Sequence, residues 1–191
     1  GANQALCNTS VFTLGATVAV VGAGQWSYVS GAAVTITNTN SATTTVTGLT
    51  AGSSVTLRWT VSNGPVCAAL TSDVTLTNDV LPVADAGTGG NVCGIGVANS
   101  FVLSGSPTVG TGTWTKFSGP GAETFTNANL STSSVSVDAY GSYVFRWTEV
   151  NGTCSSFDDV TVVFWEAPSA SVAGANQALC NTSVFTLGAT V

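Results

Sequence analysis

The sequence predicts an all-β protein built from tandem β-sandwich domains of about seven strands each, and three observations support this class. One segment of the chain is repeated letter for letter, tryptophans and cysteines recur at about half that period, and apolar residues alternate with polar ones. Alternation with a period of two is typical of half-buried strands, and no helical apolar period occurs.

The repeat sets the domain organisation. Residues 1–18 recur as residues 174–191, an offset of 174 − 1 = 173. The cysteines divide this period in half, since 93 − 7 = 86 and 180 − 93 = 87. We therefore predict a domain A over residues 1–86, a domain B over residues 87–173, and the start of a further domain A over residues 174–191.

The two halves share short motifs at corresponding positions. The matching motifs are Gly24-Gln25-Trp26 with Gly112-Thr113-Trp114, Arg58-Trp59-Thr60 with Arg146-Trp147-Thr148, and Asn63-Gly64 with Asn151-Gly152. Two divergent copies of one fold therefore alternate along the chain. Because the four motif tryptophans recur in register, we expect them in the cores.

The strands follow from the alternation. Val55, Leu57, Trp59 and Val61 alternate with polar residues, and Tyr143, Phe145 and Trp147 repeat the pattern in the second half. An Asn-Gly turn follows each of these strands and predicts a hairpin. About seven strands in about 86 residues fit an immunoglobulin-like sandwich.

Neighbouring residues on an alternating strand point to opposite faces of the sheet. We therefore expect Arg58 and Arg146 to point away from the core, where they can lie opposite or diagonal to Asp73 and Asp159 of the next strand.

The order of these motifs carries a resemblance to a known family. Domain A reads CNTSVFTL, GQWSYVSG, VTLRWTVSNGPVC and SDVTLT, and domain B reads VCG, GTWTKFSGPG, YVFRWTEVNGTC and DDVTVVF. The series resembles the PKD-like and immunoglobulin-like repeats of giant surface proteins of Bacteroidota, often exported by the type IX secretion route. The resemblance implies a secreted repeat used as a stalk, an adhesin or a filament.

The cysteines have matched positions in the two halves. Each half holds one near its start and one after the Asn-Gly turn, which predicts disulfides Cys7–Cys67 and Cys93–Cys154. Cys180 is then expected to pair with a cysteine outside this segment of the chain. Disulfides place the protein in an oxidising, extracellular setting.

Composition argues against several classes of function. The net charge is −6, and Arg58, Lys116 and Arg146 are the cations, so we expect no binding to nucleic acid or to anionic lipid. No uninterrupted apolar run is long enough to span a bilayer, so we expect no membrane insertion. The sequence contains no histidine, and we expect no catalytic residue, no cofactor and no metal site. Asp79, Asp85 and Asp158-Asp159 lie near the junctions and are candidates for calcium, but no Asp-x-Asp-x-Asp loop is present.

Trp165 falls near the end of domain B, where domain A has Asp79. Three roles fit an aromatic residue there: packing at the junction with the following domain, a lateral contact, or stacking on a sugar. Asn8, Asn129, Asn151 and Asn181 lie in Asn-x-Ser/Thr sequences that are candidates for glycosylation.

These observations lead to one main functional prediction and two alternatives. The main prediction is a structural repeat of a secreted bacterial surface stalk, adhesin or extracellular filament, located outside the cell or on its surface. Its partners would be adjacent domains of the same array or identical subunits. The alternatives are an adhesin module that binds a glycan or a protein of a host surface, and a fibre subunit assembled by strand exchange through residues 174–191.

Overall fold

The computed structural model describes residues 1–178, 180–181 and 184–189, and it contains two seven-stranded β-sandwiches in tandem. The strands of the first sandwich are β1 (Gln4–Cys7), β2 (Val11–Gly15), β3 (Ala23–Gly31), β4 (Thr35–Ile36), β5 (Thr43–Thr47), β6 (Ser53–Ser62) and β7 (Leu70–Asp79).

The second sandwich also has seven strands. They are β8 (Gly90–Cys93), β9 (Phe101–Val102), β10 (Thr111–Ser118), β11 (Glu123–Phe125), β12 (Ser134–Val137), β13 (Gly141–Asn151) and β14 (Cys154–Trp165). A single-turn 3-10 helix, Val97–Asn99, lies between β8 and β9. The described residues include no helix with the length and hydropathy that a membrane-spanning helix needs.

Both sandwiches have the same topology. The first pairs a β1-β7-β6-β3 sheet with a β2-β5-β4 sheet, and the second pairs β8-β14-β13-β10 with β9-β12-β11. In each sandwich the first strand runs parallel to the last, with Cys7 beside Asp79 and Cys93 beside Trp165. The first cysteine of each sandwich therefore lies where the last strand ends, which we call the exit end; the opposite end is the entrance end.

Each core is centred on two tryptophans from facing positions of adjacent strands. The rings of Trp26 and Trp59 are 5.2 Å apart, and those of Trp114 and Trp147 are 5.1 Å apart. All four side chains are buried, as predicted. The glycine of each Gly-x-Trp motif provides space for the second tryptophan, because a Cβ atom at Gly24 or Gly112 would overlap the ring of Trp59 or Trp147.

The predicted orientation of the Arg-Trp pairs is confirmed. Trp59 and Trp147 point into the cores, whereas Arg58 and Arg146 lie directly opposite Asp73 and Asp159 and form two-point ion pairs with them, with N–O distances of 2.7–2.9 Å.

The two cores share no residue. The first extends from Phe12 to Leu76, and the second from Ala86 to Phe164. Ala86, which the sequence placed at the end of domain A, packs in the second core. The domain limits 1–86, 87–173 and 174–191 stay predictions, and positions 179, 182, 183, 190 and 191 of the last segment lie outside the described residues.

Candidate functional site at the junction between the sandwiches

A disulfide joins the two sandwiches. It links Cys7 to Cys154 across 147 residues of sequence, with the two Cα atoms 4.9 Å apart. The predicted pairs Cys7–Cys67 and Cys93–Cys154 are therefore wrong in this structure, and Cys67, Cys93 and Cys180 are exposed free cysteines.

The parallel first strand explains why the predicted pairs do not form. Cys7 ends β1 at the exit end, beside Asp79, whereas Cys67 precedes β7 at the entrance end. The ten residues of β7 separate these ends by roughly 30 Å, because a strand rises about 3.3 Å per residue. A disulfide requires Cα atoms within about 7 Å, so the bond forms between sandwiches and not within one.

A carboxylate beside the disulfide fixes the turn of the second sandwich. The Asp79 carboxylate accepts hydrogen bonds from the Thr153 backbone N–H at 2.7 Å and the Thr153 hydroxyl at 2.9 Å. Gly152 has a φ of 58°, and a Cβ atom there would overlap the same carboxylate. The turn between β13 and β14 thus needs glycine both for its conformation and for its close approach to Asp79.

Two asparagine side chains hold the backbone at this junction. Asn151 Nδ2 donates to the Val80 carbonyl at 2.9 Å, so this amide is engaged in the junction. Asn78 is buried in the first sandwich, and its amide donates to the Thr9 and Leu49 carbonyls. The exit end of the first sandwich is therefore a hydrogen-bonded platform for the second.

The linker between the sandwiches is bound along its length to the second sandwich. The backbone N–H groups of Val83, Ala84 and Ala86 donate to Thr108 Oγ1, Ser156 Oγ and Asp158 Oδ2, respectively, at 2.8–2.9 Å. These bonds explain the role of Asp158, which the sequence did not indicate. They leave the linker little freedom to act as a hinge.

A buried carboxylate supports the linker from inside the second core. Glu149 is fully buried and accepts hydrogen bonds from Trp147 Nε1 and from the N–H and hydroxyl of Thr108. Burial acts to raise the pKa of Glu149, but the bonds from Thr108, Trp147 and the Val109 N–H outweigh it and lower this pKa below its ordinary value. Because Thr108 also accepts from Val83, the chain of bonds runs from the linker to the core.

The aspartates considered for calcium are engaged with the protein itself. Asp79 holds Thr153, Asp158 holds Ala86, and Asp85 accepts from the Gly87 N–H at 2.8 Å. Within residues 1–178, 180–181 and 184–189, no three cysteine or acidic side chains come together as a metal site would require.

Trp165 occupies the place in the second sandwich that Asp79 occupies in the first. Trp165 pairs with Cys93 in the β14–β8 register, and Asp79 pairs with Cys7 in the β7–β1 register. The indole is 58% exposed, and its Nε1 donates to Asn91 Oδ1 at 2.8 Å. No following domain lies within the described residues to contact it, so its role stays a prediction.

The chain matches no protein-family model and no curated protein. Among solved structures, it is similar to extracellular domains 3–5 of Drosophila OTK, with a TM-score of 0.59 and 12% identity over 86% of this chain and 59% of that one. It is also similar to an I-band fragment of titin, with a TM-score of 0.47 and 14% identity over 86% of this chain and 63% of that one.

A third similarity is to the PKD domain from the KIAA 1837 protein, with a TM-score of 0.38 and 28% identity over 46% of this chain and 91% of that one. The chain spans about three fifths of the lengths of the OTK and titin fragments. The observed topology and the OTK likeness confirm the predicted fold class of tandem immunoglobulin-like, PKD-like β-sandwiches.

Proposed function

We propose that this chain is a non-catalytic structural repeat of a secreted surface array, used as a stalk, an adhesin or a filament. The observation that carries the proposal is the Cys7–Cys154 disulfide, which fixes one sandwich to the next at a junction where the linker is also hydrogen-bonded. A covalently fixed junction suits a load-bearing spacer, whereas domains that move independently need free linkers. The disulfide also fits an extracellular location.

The repeated tail supports continuation of the array. Gln177 Nε2 donates to the Thr186 carbonyl at 2.7 Å, as Gln4 Nε2 donates to the Thr13 carbonyl at 2.8 Å. Asn181 and Asn8 both have positive φ, 54° and 41°. At these described positions, the duplicated segment repeats local conformation as well as sequence, as expected for the start of a further domain A. Export by the type IX route, which the family resemblance implies, belongs to the same proposal.

Imaging of the native material tests this function. Antibodies raised against the 191-residue chain should label the outside of intact source cells and decorate threads with one bead per sandwich. Label confined to the cell interior, or compact particles in place of threads, would reject the proposal. Threads composed of several strands would favour lateral bundling or strand exchange over a single stalk.

A binding role is the second candidate, and one surface of the second sandwich favours it. The Arg146 guanidinium lies 4.2 Å from the ring centroid of Phe117 and 3.7 Å from that of Phe157, and both rings are about 60% exposed. Exposed aromatic rings around a cation can contact a sugar or a protein. The double variant Phe117→Ser/Phe157→Ser should abolish adhesion to host glycans if this face binds them, while leaving the threads intact.

A further inference from the structure

The entrance ends of the two sandwiches differ in what covers them. In the second sandwich, the linker residues Ala84 and Ala86 pack against the core and are hydrogen-bonded to Ser156 and Asp158 of β14. The disulfide and the Asp79–Thr153 contact lie at the same end. This end is therefore closed by the sandwich that precedes it.

The equivalent end of the first sandwich is an open cavity. It has a volume of about 260 Å³ and is lined by Gly1, the loop of residues 16–19, Trp59, Val61 and residues 70–72. Because Asp73 and Asp159 hold the same position opposite the arginines, Leu70 and Ser72 correspond to Ser156 and Asp158. The cavity thus lies where the linker lies in the second sandwich.

Apolar side chains around this cavity are exposed, and the tryptophan that lines it lacks the hydrogen bond that its equivalent in the second sandwich makes. Val18, Val20, Val21, Val66 and Leu70, all at this end, are 67–99% exposed. Trp59 is buried, and within the described residues its Nε1 has no hydrogen-bond partner, whereas Trp147 donates to Glu149. An apolar surface beside a buried unpaired donor indicates that a further segment packs there.

The repeat identifies that segment. Gly174 is the copy of Gly1, so residues 166–173 are the ones that precede a domain A. They have the length and the proline of the first linker and a small-residue composition, reading EAPSASVA where residues 80–87 read VLPVADAG. A backbone carbonyl of this segment would give Trp59 Nε1 the acceptor that it lacks.

The residues that would flank a second junction, formed by the segment 166–173, differ from those at the observed junction on both sides. At the junction in this structure, Asp79 accepts hydrogen bonds from Thr153. At the other junction, the position of Asp79 holds Trp165, and the turn that would face it holds Pro65 and Val66 in place of Thr153. A polar pair is thus replaced by an apolar group on each side, which suits direct contact.

The free cysteines complete the correspondence. Cys93 lies beside Trp165 as Cys7 lies beside Asp79, and Cys67 follows the Asn63-Gly64 turn as Cys154 follows Asn151-Gly152. We propose that the exit end of the second sandwich docks on the entrance end of the first sandwich of the next repeat, and that Cys93 forms a disulfide with Cys67 of that repeat. This inference rests on the proposed array.

The bond forms by oxidation of the two thiols. Two S–H bonds break and one S–S bond forms, with release of two protons and two electrons. A disulfide-containing oxidant of the secretory environment accepts the electrons and becomes a dithiol. In the resulting array, every junction is crossed once by the backbone and once by a disulfide. The polar contacts at one junction and the apolar contacts at the next favour docking of A on B and of B on A over docking of A on A or of B on B.

The test uses a polypeptide with residues 1–173 written twice in succession, which contains the whole 191-residue chain as its first part. It holds eight cysteines, four from each copy. The proposal predicts two free thiols, Cys67 of the first copy and Cys93 of the second, and a peptide linking Cys93 of the first copy to Cys67 of the second. Thiol alkylation and mass spectrometry of a non-reduced digest measure both.

Other counts of free thiols distinguish a failure of the Cys93–Cys67 junction from a failure of the proposed array. Four free thiols with Cys7–Cys154 intact would overturn the second junction and leave the array proposal standing. No free thiols, with bonds inside each sandwich, would overturn the junction disulfides altogether, and eight free thiols would also contradict an oxidising location. A Cys93–Cys67 bond found only in disulfide-linked dimers would show a contact between molecules, which contradicts docking within one chain.

A variant with Cys93→Ser in the first copy is the matched control. It should raise the free thiols from two to three by releasing Cys67 of the second copy, while both Cys7–Cys154 bonds persist. A count of one would mean that Cys67 of the second copy is still bonded to another cysteine and would overturn the proposal.

Discussion

Trp59 and Trp147 hold equivalent places in the two cores. Within the described residues, the indole N–H of Trp147 has a hydrogen-bond partner and that of Trp59 has none. Trp147 donates to Glu149, two residues further along β13, whereas Val61 holds the corresponding place in β6. Glu149 is also joined to Thr108, which binds the linker. A single residue therefore connects the packing of the second core to the position of the linker.

The Glu149→Gln variant should destabilise the second sandwich. A neutral amide is a weaker acceptor than a carboxylate and offers one oxygen in place of two, so we expect a loss of about 1–3 kcal/mol in the free energy of unfolding at pH 7. Denaturant unfolding measures this loss. Glu166→Gln is the control, because Glu166 is exposed, and it should change the free energy by less than about 0.5 kcal/mol.

The stability lost in Glu149→Gln should depend on pH. The fold lowers the pKa of Glu149, so the stability that the carboxylate contributes is present above the unfolded-state pKa of about 4.3 and is lost as the pH falls through the folded-state pKa. The stability difference between wild type and Glu149→Gln should therefore shrink in acid. A difference that stays constant from pH 7 to pH 3 would contradict the role of the charge.

The sequence predicted the core tryptophans but missed Glu149. The alternation predicts that Tyr143, Phe145 and Trp147 share one inward face, and the same period of two places Glu149 on that face. The alternation was thus a usable signal for a buried carboxylate. The donors that make the burial tolerable come from a loop distant in sequence, and no local pattern indicates them.

At the scale of strands, the two hairpins carry the same ion pair in different surroundings. The Arg146 side chain is 24% exposed between Phe117 and Phe157, whereas the Arg58 side chain is 41% exposed. Position 71, which corresponds to Phe157, is a threonine. The aromatic contacts are therefore specific to the second sandwich.

The Arg146→Ala variant should destabilise its sandwich more than Arg58→Ala destabilises the other. Both variants lose a cross-strand ion pair, but only Arg146→Ala also loses the contacts of the guanidinium with two rings. Calorimetric melting of each variant at low and at high salt tests this. Equal losses at high salt, where ion pairs are screened, would show that the aromatic contacts contribute nothing.

The turns of the hairpins provide a matched pair of glycines for a second test. Gly152 and Gly64 both have positive φ, 58° and 73°, but a Cβ atom at Gly152 would overlap the Asp79 carboxylate, whereas one at Gly64 would meet nothing within 4 Å. Both alanine variants incur a conformational cost of about 1–2 kcal/mol. Gly152→Ala should in addition displace Asp79 and loosen the junction.

The rate at which a thiol reductant breaks Cys7–Cys154 reports this loosening. We expect faster reduction in Gly152→Ala than in the wild type and an unchanged rate in Gly64→Ala. If the two variants were reduced at the same rate, the Asp79 contact would not hold the junction.

The strands were predictable from sequence, but the disulfide was not. Alternation and Asn-Gly turns located the longest strands of both halves, because these features are local. The pairing of cysteines depends on which end of a sandwich each one occupies, and this is set by the parallel pairing of β1 with β7. Matched positions in the two halves suited bonds within a sandwich as well as bonds between sandwiches, and local sequence does not choose between them.

For the whole molecule, the disulfide sets the path of tension along the chain. A force applied between Gly1 and the C-terminal end passes from Cys7 through the disulfide to Cys154, so the residues between these cysteines are shielded from it. The first core lies entirely within the shielded segment, and the second lies within it except for Val160, Val162 and Phe164 of β14. A chain built in this way would resist extension even if one sandwich unfolded.

Pulling single molecules of the 191-residue chain by its ends, with the disulfide intact and after reduction, tests the central claim most directly. The shielded segment spans a sequence separation of 147 residues, which at roughly 3.4 Å per residue corresponds to about 500 Å of contour length. We predict that this length is withheld in the oxidised chain and released after reduction or in the Cys7→Ser/Cys154→Ser variant. Full release of the same length from the oxidised chain would contradict a covalent junction between the sandwiches.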